Sequence, residues 1–222
     1  MASADPTLAE QVATMEAGLA AQAPAELLAP FAAEQAALAA AGVPEGIPVP
    51  GDPMPDGKLL DVDGQATTLE QARGGRPAVV VFYRGAWCPY CNVTLRAYER
   101  QLLPALWANG VALLAVSPQT PDGSLSMQER NELTYTVLSD PGNQIAGQLG
   151  ILTAARDDAR ASQAALGIDV AAANADGTDT VPMPTVVVVD AGGTIRWIDV
   201  HPNYGTRTEP ADILEAVSSL LG

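Results

Sequence analysis

Apolar residues recur at Leu8, Val12, Met15 and Leu19, and again at Leu27, Leu28, Phe31 and Leu38. Intervals of three and four residues are the period of an amphipathic helix, and Pro24 lies where one helix would stop and another begin. Residues 1–41 are therefore expected to form a helical arm, its stripe covered by the main domain or by a second copy in a homodimer. Residues 42–57 carry Pro44, Pro48, Pro50, Pro53 and Pro55 among glycines, a composition that suits a linker rather than a helix or a central strand.

From 58 to 222 the pattern alternates. Asp63-Gly64 between strand-like residues predicts a short hairpin within Leu59 to Leu69. Ala78 to Tyr83 is a continuous β-branched and aromatic run, the mark of a strand covered on both faces. Leu95, Tyr98 and Leu102 predict a helix over Asn92 to Leu103, ended by Pro104, and Val111 to Val116 predicts a second buried strand, reached by a right-handed crossover. Ser126 to Glu129 reads as a capping box opening a further helix, Asp140-Pro141-Gly142 as a turn, and Ala154 to Leu166 as a helix. Thr185 to Asp190 and Ile195 to Val200 form a hairpin about Ala191 to Thr194, and Pro210 opens a last helix through Leu221. The expected fold class is α/β, a mixed sheet flanked by helices and preceded by the α-helical arm.

Composition narrows the function. Eleven Lys and Arg stand against 26 Asp and Glu, a net charge of −15, and Lys58 is the single lysine. Such a field repels phosphate backbones and anionic membranes, so neither nucleic acid nor membrane is an expected partner. Met1 to Glu10 shows no basic or apolar leader segment, and the cytoplasm is the expected address. In that reducing compartment two cysteines point to catalysis, redox sensing or metal binding rather than a structural staple. A closed zinc site wants four Cys or His ligands, whereas the chain holds Cys88, Cys91 and His201; no metal or organic cofactor is expected.

The chemistry concentrates in Trp87-Cys88-Pro89-Tyr90-Cys91, between the predicted buried strand and helix. A cysteine at a helix N-terminus has its thiolate favoured by free N–H groups and the macrodipole, which makes Cys88 the candidate nucleophile. Cys91, one turn on, is placed to attack a mixed disulfide or a sulfenic acid formed on Cys88. Arg84 is placed to stabilise a thiolate or a peroxide oxygen, with Arg207 a weaker candidate for the same role. Trp87 and Tyr90 would shape a docking surface or cover the core, and His201 is expected to be a loop histidine rather than a general acid or base.

Val181-Pro182-Met183-Pro184-Thr185, just before a strand, resembles the thioredoxin superfamily, in which a cis-proline faces the Cys-x-x-Cys pair; Pro184 is the matching position, followed by Thr185. Phe82 to Cys91, Ser117-Pro118-Gln119, Val137 to Asp140 and Arg207 to Pro210 look more closely like the AhpC/TSA peroxiredoxin-like family, over roughly Gly51 to the C-terminus. The resemblance implies a thioredoxin-like fold, a peroxide substrate and reduction by a thioredoxin-type or low-molecular-weight thiol. Peroxiredoxins carry Pro and Thr or Ser seven and three residues before the reactive cysteine; here these positions are Val81 and Gly85. Thioredoxins carry a buried acid in the preceding strand, which Ala78 to Tyr83 lacks, and Cys88-Pro-Tyr-Cys91 is also similar to the glutaredoxin site. Three readings follow: a thiol peroxidase, a thiol-disulfide oxidoreductase acting on a disulfide substrate, and a redox-sensing binding protein that signals through the arm.

Overall fold

The computed structural model describes residues 5–221. In chain order it comprises α1 (Leu8–Gln22), α2 (Ala25–Ala41), β1 (Lys58–Leu60), β2 (Ala66–Thr68), α3 (Leu69–Arg73), β3 (Ala78–Phe82), α4 (Pro89–Gln101), α5 (Leu103–Ala108), β4 (Ala112–Ser117), α6 (Pro121–Asn131), β5 (Thr136–Ser139), α7 (Gln144–Gln148), β6 (Leu152–Ala154), α8 (Asp157–Ala165), α9 (Val170–Ala173), β7 (Thr180–Pro182), β8 (Thr185–Val189), β9 (Ile195–Val200) and α10 (Pro210–Leu221). The main sheet has the order β2-β1-β5-β4-β3-β8-β9. β3, β4 and β5 run parallel, β8 runs antiparallel beside β3, and β9 runs antiparallel beside β8.

The two-residue alternation of a strand divides the core. Val79, Val81 and Tyr83 face one layer with Leu95 and Tyr98 of α4, and Val80 and Phe82 face the other with Ile145 and Leu149. All five residues of β3 are buried, as a central strand with helices on both faces requires. β3 thus fixes the loop that leads to the cysteines. Among the described residues no helix is long and apolar enough to cross a membrane.

The arm lies against its own chain. α1 packs on α4, and α2 packs on α8. Thr7 caps α1 in a reciprocal box with Glu10, Leu8 and Val12 are buried, and the Leu8 and Ala9 amides donate to the Glu209 carboxylate at 2.9 and 2.8 Å. Residues 42–57 are fastened to the β8–β9 hairpin: Gly51 N donates to Ile195 O, Ile195 N to Asp52 O and Met54 N to Gly193 O.

Several element boundaries differ from expectation. α6 starts at Pro121 and not at Ser126, because the Thr120 hydroxyl accepts from Gly123 N and Pro121 suits the first turn; Ser126 to Glu129 lies inside the helix. Pro104 ends α4 as expected but also sits in the first turn of α5. Leu152 to Ala154 pairs with β7, so the helix expected from Ala154 begins at Asp157. No peptide bond among the described residues is cis, so Met183–Pro184 is trans and the cis-proline implied by the resemblance is not present.

Candidate active site

β3 delivers the chain into Tyr83-Arg84-Gly85-Ala86-Trp87, and Cys88 caps the N-terminus of α4 with Pro89 in its first turn. The Cys88 carbonyl accepts from Cys91 N at 3.1 Å and Asn92 N at 3.2 Å, so the turn holding both cysteines is closed. Asn92 Nδ2 ties it down by donating to Ala86 O and Cys88 O, and Asn131 in turn donates to Asn92 Oδ1. Ala86 N donates to Gln119 Oε1 at 2.6 Å.

Gly85 has φ of +153°, and a Cβ there would lie 2.5 Å from Trp87 Nε1. The position at which peroxiredoxins carry Thr or Ser therefore admits only glycine in this loop.

Cys88 and Cys91 are free thiols, each about 1% exposed. Their electrostatic surroundings differ. Burial raises the Cys88 thiol well above the ordinary range, and its hydrogen bond to Cys91 and the charge there raise it further. Burial also opposes ionisation of Cys91, but the hydrogen bond from Cys88 and the charges of Arg207 and Arg84 outweigh it and bring that thiol down to about 5. A cation thus favours negative charge on the Cys91 side of the pair, since Arg207 Nη2 stands 3.7 Å from Cys91 Sγ.

The remaining candidates divide between the two sulfurs. Arg84, 5% exposed, stacks its guanidinium 4.0 Å over the Tyr204 ring and 5.0 Å from Trp87, and its Nε has no hydrogen-bond partner. Arg84, Trp87 and Cys88 line one cavity of about 500 Å³, lined on the other side by Leu28 and Phe31 of the arm. Pro184 and Thr185 line a separate, small cavity with Cys91, His201 and Arg207, and Thr185 Oγ1 donates to Met183 O. The His201 ring is engaged at both nitrogens, by Asp199 Oδ2 at 2.9 Å and Thr206 Oγ1 at 2.7 Å. Tyr90 donates to Glu16 of the arm and accepts from Gln35, so it fastens the arm to the active-site helix rather than forming an open surface.

Sequence reasoning missed Tyr204, Glu34 and Gln119. Tyr204 carries Arg84 on its ring and donates at 2.9 Å to Glu34 Oε2, a carboxylate buried in the arm. Gln119 lies in the quoted Ser117-Pro118-Gln119 motif, which flagged the segment without its role; Glu34 and Tyr204 carry no local signal. Among the described residues no cluster of His, Cys, Asp and Glu is arranged to hold a metal ion.

A Cys-x-x-Cys pair at the N-terminus of the helix following a central strand of this mixed sheet defines a thioredoxin-like thiol protein. Residues 50–198 match the AhpC/TSA family, and the chain belongs to it. "Peroxiredoxin Bcp" of Escherichia coli (strain K12) is 33% identical over 101 residues, which cover 46% of this chain and 64% of that protein. "Putative peroxiredoxin bcp" of Haemophilus influenzae is 32% identical over 101 residues, with the same coverage of 46% and 64%. The chain thus spans under two thirds of the length of these relatives, 64% in each. The solved structure of a peroxiredoxin-like protein from Aquifex aeolicus superposes with a TM-score of 0.61 at 16% identity, covering 80% of this chain and 90% of that one. Peroxidoxin BcpB from Mycobacterium tuberculosis superposes at 0.56 with 19% identity, covering 77% and 95%; both share the fold.

Proposed function

We propose that the protein is a thiol peroxidase that cycles Cys88 and Cys91 between dithiol and disulfide, in a reducing, cytoplasmic setting. The observation that carries this reading is Cys88 at the wall of a cavity beside Arg84, a buried cation with a free donor. The same burial argues against a protein disulfide as the oxidant, since a sulfur on another protein's surface must reach a thiol about 1% exposed.

The chemistry follows from the charge distribution. Cys88 passes its proton to the Cys91 thiolate one helical turn away and attacks the terminal peroxide oxygen. The S–O bond forms as the O–O bond breaks, and the departing oxygen takes up a proton to leave as alcohol or water. Arg84 donates to the oxygen on which charge develops. Cys91, again ionised, attacks the Cys88 sulfenic acid; the S–S bond forms, and hydroxide leaves and is protonated to water. An external thiol then reduces the disulfide.

The test is stopped-flow tryptophan fluorescence of the reduced protein mixed with hydrogen peroxide, with mass spectrometry of the products. Oxidation far faster than that of a free thiol, an intramolecular disulfide in the wild type and a trapped sulfenic acid in Cys91→Ser are expected. Oxidation no faster than a free thiol at the same pH overturns the reading in favour of disulfide exchange. Redox-linked change in assembly without turnover favours a sensor.

A further inference from the structure

We infer that Tyr204 is a positioning residue for the peroxide step: its ring holds Arg84 in the cavity it lines with Cys88, its carbonyl holds Arg207 toward Cys91, and Glu34 of the arm fixes it in place. This rests on the peroxidase reading of the same site. The first observation concerns Arg84. Its guanidinium is buried and its Nε has no hydrogen-bond partner, so no bond at that atom sets the plane of the group. Two aromatic rings flank it instead, with the guanidinium carbon 4.0 Å from the Tyr204 centroid and 5.0 Å from that of Trp87. A cation gains most from a ring face when both are out of water, and Arg84 is 5% and Tyr204 4% exposed. The nearer face is therefore the principal support of a cation whose charge favours ionisation of Cys88.

The second observation is what holds Tyr204. Burial keeps its hydroxyl protonated, and that hydroxyl donates to Glu34 Oε2 at 2.9 Å. Glu34 is 2% exposed, and its other oxygen accepts from Arg156 N at 2.8 Å, so the carboxylate on α2 is itself fixed at the start of α8. The Tyr204 ring meets Tyr90 of the active-site helix edge to face, with centroids 5.9 Å apart. On its backbone side, Arg207 Nη1 donates to Tyr204 O, while Nη2 of the same guanidinium stands 3.7 Å from Cys91 Sγ. One residue thus touches both cations of the site. A donor already in place when charge develops on the departing peroxide oxygen has no reorganisation to make. Without the ring, Arg84 keeps its charge and loses its aim, and a misplacement of about 1 Å can cost about 10²-fold in rate.

The experiment compares, at Cys88 of the reduced protein, the rate of oxidation by hydrogen peroxide with the rate of alkylation by iodoacetamide, each product assigned by mass spectrometry. Both reagents need the same sulfur to lose its proton, but only peroxide expels an oxygen that calls for a donor. A loosened fold moves both rates together and leaves their ratio unchanged. Tyr204→Leu is expected to lower the peroxide-to-iodoacetamide ratio about tenfold. Tyr204→Phe keeps the ring and loses the hydroxyl, and Glu34→Ala loses the acceptor; each is expected to lower the ratio about threefold, and the two together no further, because they break the same bond. Circular dichroism checks that each variant folds, and the last two stand in should Tyr204→Leu not do so. Without any peroxide, the Arg84 Nε–Hε proton resonance, assigned by its loss in Arg84→Lys, is expected upfield under the two rings; it should move downfield in Tyr204→Leu and less in Tyr204→Phe. A ratio unchanged in Tyr204→Leu or in Glu34→Ala overturns the inference, as does an arginine resonance that stays in place. Failure of the peroxidase reading shows instead in the wild type, as a ratio no higher than that of a free thiol, and the resonance then still decides whether Tyr204 holds Arg84.

Discussion

Arg207, 3.7 Å from Cys91 Sγ, favours negative charge on the thiol pair. Its guanidinium lowers Cys91, whereas Cys88, donating its proton to that thiolate, is raised. A thiolate is present above its pKa and lost as pH falls through it, so the 240 nm thiolate absorbance of the reduced protein is expected to disappear with a midpoint near 5. Arg207→Gln is expected to move that midpoint upward, because the cation is removed and the burial remains. Gly85→Thr, which would restore the residue type found in peroxiredoxins, is expected to destabilise the fold by about 1–3 kcal/mol from the backbone alone, read by urea denaturation. The clash with Trp87, 2.5 Å from such a Cβ, adds to this. At this scale the sequence was informative where partners are local. Cys88 and Cys91 were legible from their spacing, whereas Arg207 reaches Cys91 across 116 positions, and no local pattern encodes that meeting.

Elements were legible in proportion to how much apolar surface they bury. β3, β4 and β8 are fully buried and, apart from Ser117 at the end of β4 and Thr185 at the start of β8, continuous apolar runs that announce themselves. β6 and β7 are three-residue strands paired only with each other, too short for a period to show. α6 was misplaced because two capping signals compete in its sequence. Thr120-Pro121 combines a hydroxyl acceptor with a residue preset for the first turn, and it prevails over Ser126. Thr120→Ala is accordingly expected to cost about 1 kcal/mol, measured by chemical denaturation. On the arm, Leu8→Ala removes a fully buried side chain and is expected to cost about 2–5 kcal/mol of packing where α1 meets α4, seen as faster amide exchange in α1.

For the whole molecule, the arm supplies one wall of a partly open cavity whose other wall is the thiol turn. That arrangement was not legible, since Glu34, Tyr204 and Arg84 meet only in three dimensions. The net charge was legible and acts globally: a chain carrying −15 repels itself, and salt screens that repulsion. The thermal midpoint is therefore expected to rise between 0.01 M and 0.15 M salt, where the screening length falls from about 30 Å to about 8 Å, as read by calorimetry. The stretch rich in proline before the sheet has a further consequence. β9 is an outer strand whose free side would invite another chain to pair with it. Gly51, Asp52 and Met54 occupy the polar groups of Ile195 and Gly193 at its start, and Pro53, bridged to Thr194, has no amide hydrogen to extend a ladder. The segment is thus a guard against aggregation: it uses up the first rung of the open edge and presents a residue that cannot template the next.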